Sequence, residues 1–228
     1  NGIIQKFANN VLKKPMVNKK TLIAAPLLLL SLNAVRAQLP LPTPEARPGL
    51  RWWWFGSAVD KPNLAWNMEQ YARAGVGTVE ITPIYGVQGN ERNDIAYLSP
   101  KWMEMLRYTE DEGRRNNIEI DMATGTGWPF GGPWVPLSEA ACKATFADTV
   151  VNGKRRVTLH VGRTRQKVKR AAPGGEGWVI DHFDSTAVAH YLAHIDSAFT
   201  ASGTPFPHTF FNDSYEVYGA NWTPRLPE

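Results

Sequence analysis

The alternation of segments between residues 51 and 124 constrains the fold more than any other feature. RWWWFG (51–56) is a short apolar run closed by a glycine and reads as a strand. NLAWNMEQYARAG (63–75) puts Leu64, Met68, Tyr71 and Ala72 on one helical face, with Gly75 as the stop. GTVEITPIYG (77–86) is β-branched and apolar, a second strand that Pro83 is expected to end. SPKWMEMLRYTEDEGRRNN (99–117) reads as a second helix, with Ser99 as N-cap, Pro100 in the first turn, and Trp102, Met105, Leu106 and Thr109 as its apolar stripe. IEIDMAT (118–124) is a third strand. Strand, helix, strand, helix, strand at this spacing predicts βαβ units on a parallel sheet, wound by right-handed crossovers. No GxGxxG follows the first strand, which counts against a dinucleotide-binding sheet.

Further along, FADTVV and RRVTLHV flank Asn152-Gly153, which predicts a small β-rich insertion over about 143–170. Pro173-Gly174-Gly175 marks a loop. STAVAHYLAHIDSAFTAS (185–202) is a third long helix, with Ser185 as its expected N-cap and Val188, Leu192, Ile195 and Phe199 at helical spacing. HTFFND (208–213) is a fourth strand. The expected fold class is therefore α/β. It is a partial (β/α)8 TIM-barrel-like catalytic domain comprising about the first four strands, with the β-rich insertion, since a complete barrel takes about 250 residues.

The start of the chain reads as a targeting segment. Met16 is followed by Lys19 and Lys20, then by TLIAAPLLLLSL, then by NAVRA with Ala37–Gln38 as the expected cut. Residues 1–15 are expected to be an upstream extension and 16–37 a signal peptide. QLPLPTPEARPGL (38–50) is a proline-rich linker, and 51–228 is expected to be the N-terminal part of the (β/α)8 domain. The apolar run is too short to span a membrane as a helix. The expectation is an exported protein, periplasmic or extracellular, with no stable membrane insertion after signal cleavage. The net charge is +4, but Lys13, Lys14, Lys19 and Lys20 sit in or before the targeting segment. The other positive cluster runs from Lys154 to Arg170, so no nucleic-acid partner is expected. A single cysteine, Cys142, excludes a disulfide framework or a cysteine zinc site within one chain.

Chemistry concentrates in FFNDSYEVYGANW (210–222), an apolar run that breaks into Asp213 and Glu216. In α/β barrels such strand tips carry the catalytic groups. Tyr215, Tyr218 and Trp222 stand beside the carboxylates, and the chain holds nine tryptophans. Aromatic faces stack on sugar rings while carboxylates handle the polar edges, so a carbohydrate is the expected ligand. Glu216 is the first candidate for a catalytic carboxyl, and desolvation by its aromatic neighbours would suit an acid. The structural alternative is a cap at Asp213 and a surface ion pair at Glu216.

Three further sets carry weight. In DMATGTGWPFGGPWV (121–135), Asp121 is expected to end the third strand and the glycines to turn the backbone. Trp128, Phe130 and Trp134 would then form a substrate-binding wall, the alternative being a packed Ω-loop. Glu80 lies inside an apolar run with Tyr85 beyond it, so its carboxylate is either paired with an arginine or used in the site. At least one of Trp52, Trp53 and Trp54 must enter the core. His182, between Asp181 and Phe183, either donates to a sugar hydroxyl or a carboxylate, or belongs to a helix cap. Lys169 and Arg170 read as a solvated basic pair. No HExxH, GxSxG, EF-hand or phosphate-loop pattern occurs.

RWWWFGSAV, GVGTVEITPIYG, DMATGTGWPFGGPWV, VKRAAPGGEGWVIDHF and FFNDSYEVYGANWTP, in this order, resemble glycoside hydrolase family 106 from about residue 47 onward. The resemblance implies an α-L-rhamnosidase with a (β/α)8 catalytic domain, acting on rhamnose-containing plant glycans by inversion with two glutamates. Glu216, in DSYE, falls on one of them and is assigned the acid; the second is expected on a later strand, beyond residue 228. The resemblance also implies a calcium ion holding sugar hydroxyls, for which oxygen ligands suit, with no ligands placed in this sequence. It implies a longer insertion between Ala141 and Val168 than this chain has. The residues thus frame an exported glycoside hydrolase, here a fragment expected to be inactive alone. The competing readings are a non-catalytic carbohydrate-binding protein and a non-functional gene fragment.

Overall fold

The computed structural model describes residues 42–224 and 226. The expected extension, signal peptide and first linker residues lie outside these. From the linker onward the elements run β1 (Gly49–Phe55), α1 (Lys61–Arg73), β2 (Thr78–Ile84), α2 (Pro100–Asn116) and β3 (Glu119–Ala123). Then follow β4 (Gly131–Gly132), β5 (Cys142–Val151), β6 (Lys154–Arg163), β7 (Trp178–Val179), α3 (Ser185–Ser202) and β8 (Thr209–Phe211). β1, β2, β3 and β8 form one parallel sheet in that order. The fold is thus mixed α/β on a four-stranded parallel sheet.

Strand alternation divides the sheet into two faces. Trp52 and Trp54 point to the helices, Trp52 edge-on to Tyr71 at 5.3 Å and Trp54 5.8 Å from Trp102. Val79, Ile81, Ile120 and Met122 join them in the core with Leu64, Met68, Met105 and Leu106. The other face carries Arg51, Trp53, Glu80, Thr82, Asp121 and Phe211, where Trp53 and Phe211 remain substantially exposed. Of the three tryptophans in a row, only Trp54 is fully buried.

Ser99 caps α2, its Oγ accepting the Trp102 N–H at 3.2 Å, and the stripe Trp102, Met105, Leu106, Thr109 is buried as the spacing predicts. Pro83 does not end β2; it pairs in register with Trp54. The β2–β3 ladder stops at Ile81↔Met122, so the missing N–H of Pro83 falls beyond the ladder on that side. The carbonyl of Pro83 accepts instead from the Gly127 N–H at 3.1 Å.

Two expectations about α3 change. Asp184, not Ser185, is the N-cap, its Oδ1 accepting the N–H groups of Thr186 and Ala187. A carboxylate there also suits the positive end of the helix dipole. The buried stripe is Ala187, Tyr191, Ile195 and Phe199, one residue round from Val188 and Leu192, and Leu192 is exposed. The i, i+4 column that meets the sheet includes a tyrosine, whose Oη donates to the Thr124 carbonyl at 2.8 Å. A polar-tipped ring therefore entered the core where an apolar count had chosen its neighbour.

β5 and β6 form a hairpin of ten residue pairs, from Cys142↔Arg163 to Val151↔Lys154. Asn152 and Gly153 have φ of 51° and 74°, the left-handed pair that a two-residue hairpin turn needs. β8 is shorter than HTFFND suggests and ends at Phe211, so Asn212 and Asp213 leave the ladder.

Glu110 on α2 is 7% exposed, and burial pushes its carboxyl from 4.5 up to about 7, against the pull of Arg114. The unfolded chain gives up this proton first, so stability falls as pH rises from 4.5 through about 7. Glu110→Gln is expected to stabilise the protein by about 2–3 kcal/mol at about pH 8 and by little at about pH 4, read from urea denaturation at both. A gain that is the same at both pH values would contradict the buried-carboxyl account.

Candidate active site

The side chains on the uncovered face meet in a polar layer. Arg51 lies in register with Glu80, and Glu80 with Asp121. The Arg51 guanidinium donates to Glu80 Oε2 at 3.3 Å and reaches Asp213 Oδ1 at 2.8 Å. Thr82 Oγ1 donates to Glu80 Oε1 at 2.9 Å. Glu80 is therefore an arginine-paired carboxylate, the first of its two sequence readings. Arg51 also lies near the rings of Trp53 and Phe211, at 5.5 and 5.3 Å. One cation thus ties β1 and β2 to the segment after β8.

Asp121 does not end β3, which continues to Ala123. It lies mid-strand, 3.0 Å from His208 Nδ1, while Glu119 is 3.2 Å from His208 Nε2. The hydrogen bond to Asp121 raises the His208 pKa.

Past the strand tips, the 121–135 loop sends its aromatics in two directions. Gly127 adopts φ of 60°, and a Cβ there would collide with the Lys169 carbonyl. This close approach lets Trp128 pair with Lys169 through reciprocal backbone hydrogen bonds of 2.9 and 2.6 Å. The Trp128 ring then stands edge-on to Trp53 at 5.7 Å. Phe130 stacks on Tyr191, and Trp134 stacks on His194 at 4.2 Å, both on the helix side of the sheet. Only Trp128 of the expected three-ring wall faces the tips.

A cleft of about 380 Å³ opens there, lined by Trp128, Lys169, Arg170, Asp213 and Glu216. It adjoins a smaller one of about 220 Å³ bounded by Trp53, Phe55, Ile84, Tyr85, Trp128 and Arg170. Glu216 is 2.7 Å from Lys169 Nζ, and Lys169 sits 4.6 Å from the Tyr218 ring centre. The Glu216 side chain is 46% exposed, so the expected desolvation by neighbouring rings is absent. The physical reason is the early end of β8: the following residues leave Tyr215 and Tyr218 mostly in solvent.

His182 and Tyr215 lie elsewhere. They border a larger, mostly apolar cavity of about 560 Å³ between α3 and β8, edge-on to each other at 5.2 Å. Among the described residues neither ring nitrogen of His182 has a hydrogen-bond partner, and burial lowers its pKa. Asp181 is buried and accepts the Phe183 N–H at 3.1 Å, a turn-forming contact. Paired carboxylates, cations and stacking faces converge on the smaller clefts, which makes those the candidate site. Among the described residues no three His, Cys, Asp or Glu side chains converge to hold a metal ion.

Sequence reasoning missed Lys169 and Arg170, read as a solvated pair. Their place depends on the pairing of Trp128 with Lys169 across the chain, for which the local sequence gives no signal. The clue that was available is Gly127, whose bare backbone admits that segment.

A family model described as alpha-L-rhamnosidase, glycoside hydrolase family 106, matches residues 41–167. Glu216 lies outside the matched segment. A curated protein of Formosa agariphila, named putative beta-glucuronidase, is 21% identical over 129 residues, covering 56% of this chain and 11% of that protein. The solved structure of a rhamnosidase from Novosphingobium sp. PP1Y is 25% identical and covers 51% of this chain and 11% of its own, with a TM-score of 0.40. The chain thus spans about 11% of the length of each.

Proposed function

The chain belongs to glycoside hydrolase family 106, the α-L-rhamnosidases, and on that premise we propose that it supplies the first four strands of a (β/α)8 barrel whose tips cleave α-L-rhamnosidic bonds. The observation that carries this reading is the convergence of Asp213 and Glu216 with Trp53, Tyr85 and Trp128 at the C-terminal tips of parallel strands. The substrate class is a rhamnose-containing plant glycan.

Glu216 acts as the acid. It protonates the glycosidic oxygen as the bond to the anomeric carbon breaks, and a second carboxylate takes a proton from the water that attacks the opposite face. The products are rhamnose with an inverted anomeric centre and a free alcohol. That base lies on a later strand than β8. Because Lys169 now engages Glu216 at 2.7 Å, bound substrate must separate the pair for the carboxyl to reach the glycosidic oxygen. Asp213, fixed by Arg51, and the Trp128 face bind the sugar. Glu80 acts one layer deeper, through Arg51, whereas Asp121 bonds His208 at the start of β8, away from the strand tips, and carries no role here. His182 and Tyr215 belong to the neighbouring cavity and Trp134 to the helix-side packing, so they carry no role here. A calcium ion, as the family resemblance implies, would draw its oxygen ligands from outside any cluster of side chains among the described residues.

The same reading includes export through residues 16–37. Both parts are tested by assaying the intact protein on a matched α-L-rhamnoside and β-D-glucuronide in exported and cytosolic fractions. Rhamnose release in the exported fraction is expected. Cleavage of the glucuronide alone would overturn the substrate, and activity confined to the cytosol would overturn export.

A further inference from the structure

The segment that carries Glu216 leaves the sheet before it reaches the site. β8 ends at Phe211, and the next ladder contact is the bridge between Trp222 and Cys142, where the Asn221 N–H donates to the Cys142 carbonyl at 3.2 Å. Among the described residues, the backbone between these two points is hydrogen-bonded to another part of the chain through one side chain, Gln166. Its Nε2 donates to the Glu216 carbonyl at 2.9 Å, and its Oε1 accepts the Tyr218 N–H at 2.7 Å. A primary amide carries a donor and an acceptor side by side, as a peptide unit does. Here it engages the carbonyl before Val217 and the N–H after it, the two groups that a parallel neighbouring strand would take. The Val217 side chain meanwhile packs against the buried cluster of Ala141, Val168 and Val179.

Gln166 is itself held from behind. Arg165 adopts φ of 57°, a left-handed turn that takes the chain out of β6. The Gln166 N–H then donates to Thr164 Oγ1 at 3.3 Å, and its carbonyl accepts the Val179 N–H at 3.0 Å. With its backbone bonded on both sides and the residue half-buried, the amide has few ways to turn away.

We propose that Gln166 is a positioning residue for the acid: its amide fixes the Glu216 backbone at the strand tips while the Glu216 side chain is free to change partners. This rests on the assignment of Glu216 above and adds a division of labour to it. Lys169 meets Glu216 at the carboxylate and not at the backbone. Substrate that displaces Lys169 therefore releases the carboxylate and leaves the backbone clamp intact. The carboxyl then reaches the glycosidic oxygen by rotation about its side-chain bonds, without movement of the loop.

Two substitutions in the intact protein test this. Gln166→Met keeps the length of the side chain and removes both hydrogen bonds, whereas Gln166→Glu keeps the acceptor for Tyr218 and removes the donor to Glu216. Hydrogen exchange reads the clamp itself: the Tyr218 amide is expected to exchange about tenfold or more faster in Gln166→Met than in wild type. Turnover of a rhamnosyl disaccharide and of dinitrophenyl α-L-rhamnoside reads the consequence, since only the disaccharide needs its leaving oxygen protonated. Gln166→Met is expected to lower kcat on the disaccharide about 10–100-fold, to change KM less than about threefold, and to leave the activated glycoside within about threefold of wild type. Gln166→Glu should fall between the two. Added to Glu216→Gln, Gln166→Met should slow the disaccharide by less than about a further twofold, because the group it positions is already gone. A purely structural role would slow both substrates alike; that result, or an unchanged Tyr218 exchange rate, would overturn the proposal. The two readings fail separately. Glu216→Gln with no loss on the disaccharide sinks the acid assignment and this proposal with it, whereas a loss there that Gln166→Met does not share sinks the clamp alone.

Discussion

Trp102→Ala is expected to cost about 3–5 kcal/mol of stability, a large part of the 5–15 kcal/mol that holds a typical domain folded. Trp102 is fully buried and stands at the meeting point of α2 with the first strand. Its ring lies 4.9 Å from Tyr97 and 5.8 Å from Trp54, both edge-on, and its Nε1 donates to Ser57 Oγ at 3.0 Å. Truncation would open a cavity between two aromatic rings and leave the Ser57 hydroxyl, also fully buried, without its partner. Ser57→Ala isolates the second effect and should cost about 1–3 kcal/mol, since it strands the indole N–H alone. Urea denaturation of the three proteins checks the ordering. A Trp102→Ala cost below that of Ser57→Ala would contradict the packing described.

The first three strands and the first two helices were legible because each is a local pattern. The stripe of α2, its Ser99 cap and the βαβ order depend on residues three or four apart, and the structure reproduces them. The failures have one cause in common. At Pro83 the partner strand decided whether a proline ends the element, and the β2–β3 ladder had already stopped at Ile81↔Met122. On α3 the face turned to the sheet was chosen by a Tyr191 hydroxyl bonding the Thr124 carbonyl, a contact between segments far apart in the chain.

The site divides in the same way. Glu80 inside an apolar run announced its need for a partner, and Arg51 supplies it. The 121–135 loop was visible as a feature, but its composition could not say that Trp128 turns to the strand tips while Trp134 turns to His194. Arg170 was invisible, because its place comes from a left-handed turn held by Tyr85 and by the Trp128–Lys169 pairing.

Glu216→Gln is the second large effect. The amide keeps the shape of the side chain and can still accept from Lys169, so the fold should persist; what it loses is the transferable proton. Loss of a positioned general acid lowers turnover by about 10²–10⁴-fold. The deficit must depend on the leaving group, because protonation matters only where the departing oxygen is a poor one. A sugar alcohol needs the proton, whereas a dinitrophenolate leaves without it. A group that merely positions substrate, or merely stabilises the loop through Lys169, would lower both rates alike.

Leaving-group dependence in the intact protein is therefore the measurement that tests the central claim most directly. Rates of Glu216→Gln and wild type are compared on a rhamnosyl disaccharide and on dinitrophenyl α-L-rhamnoside. The account predicts a loss of about 10²–10⁴-fold on the disaccharide and less than about tenfold on the activated glycoside. An equal loss on both substrates, or none on either, would contradict the assignment of Glu216 as the acid.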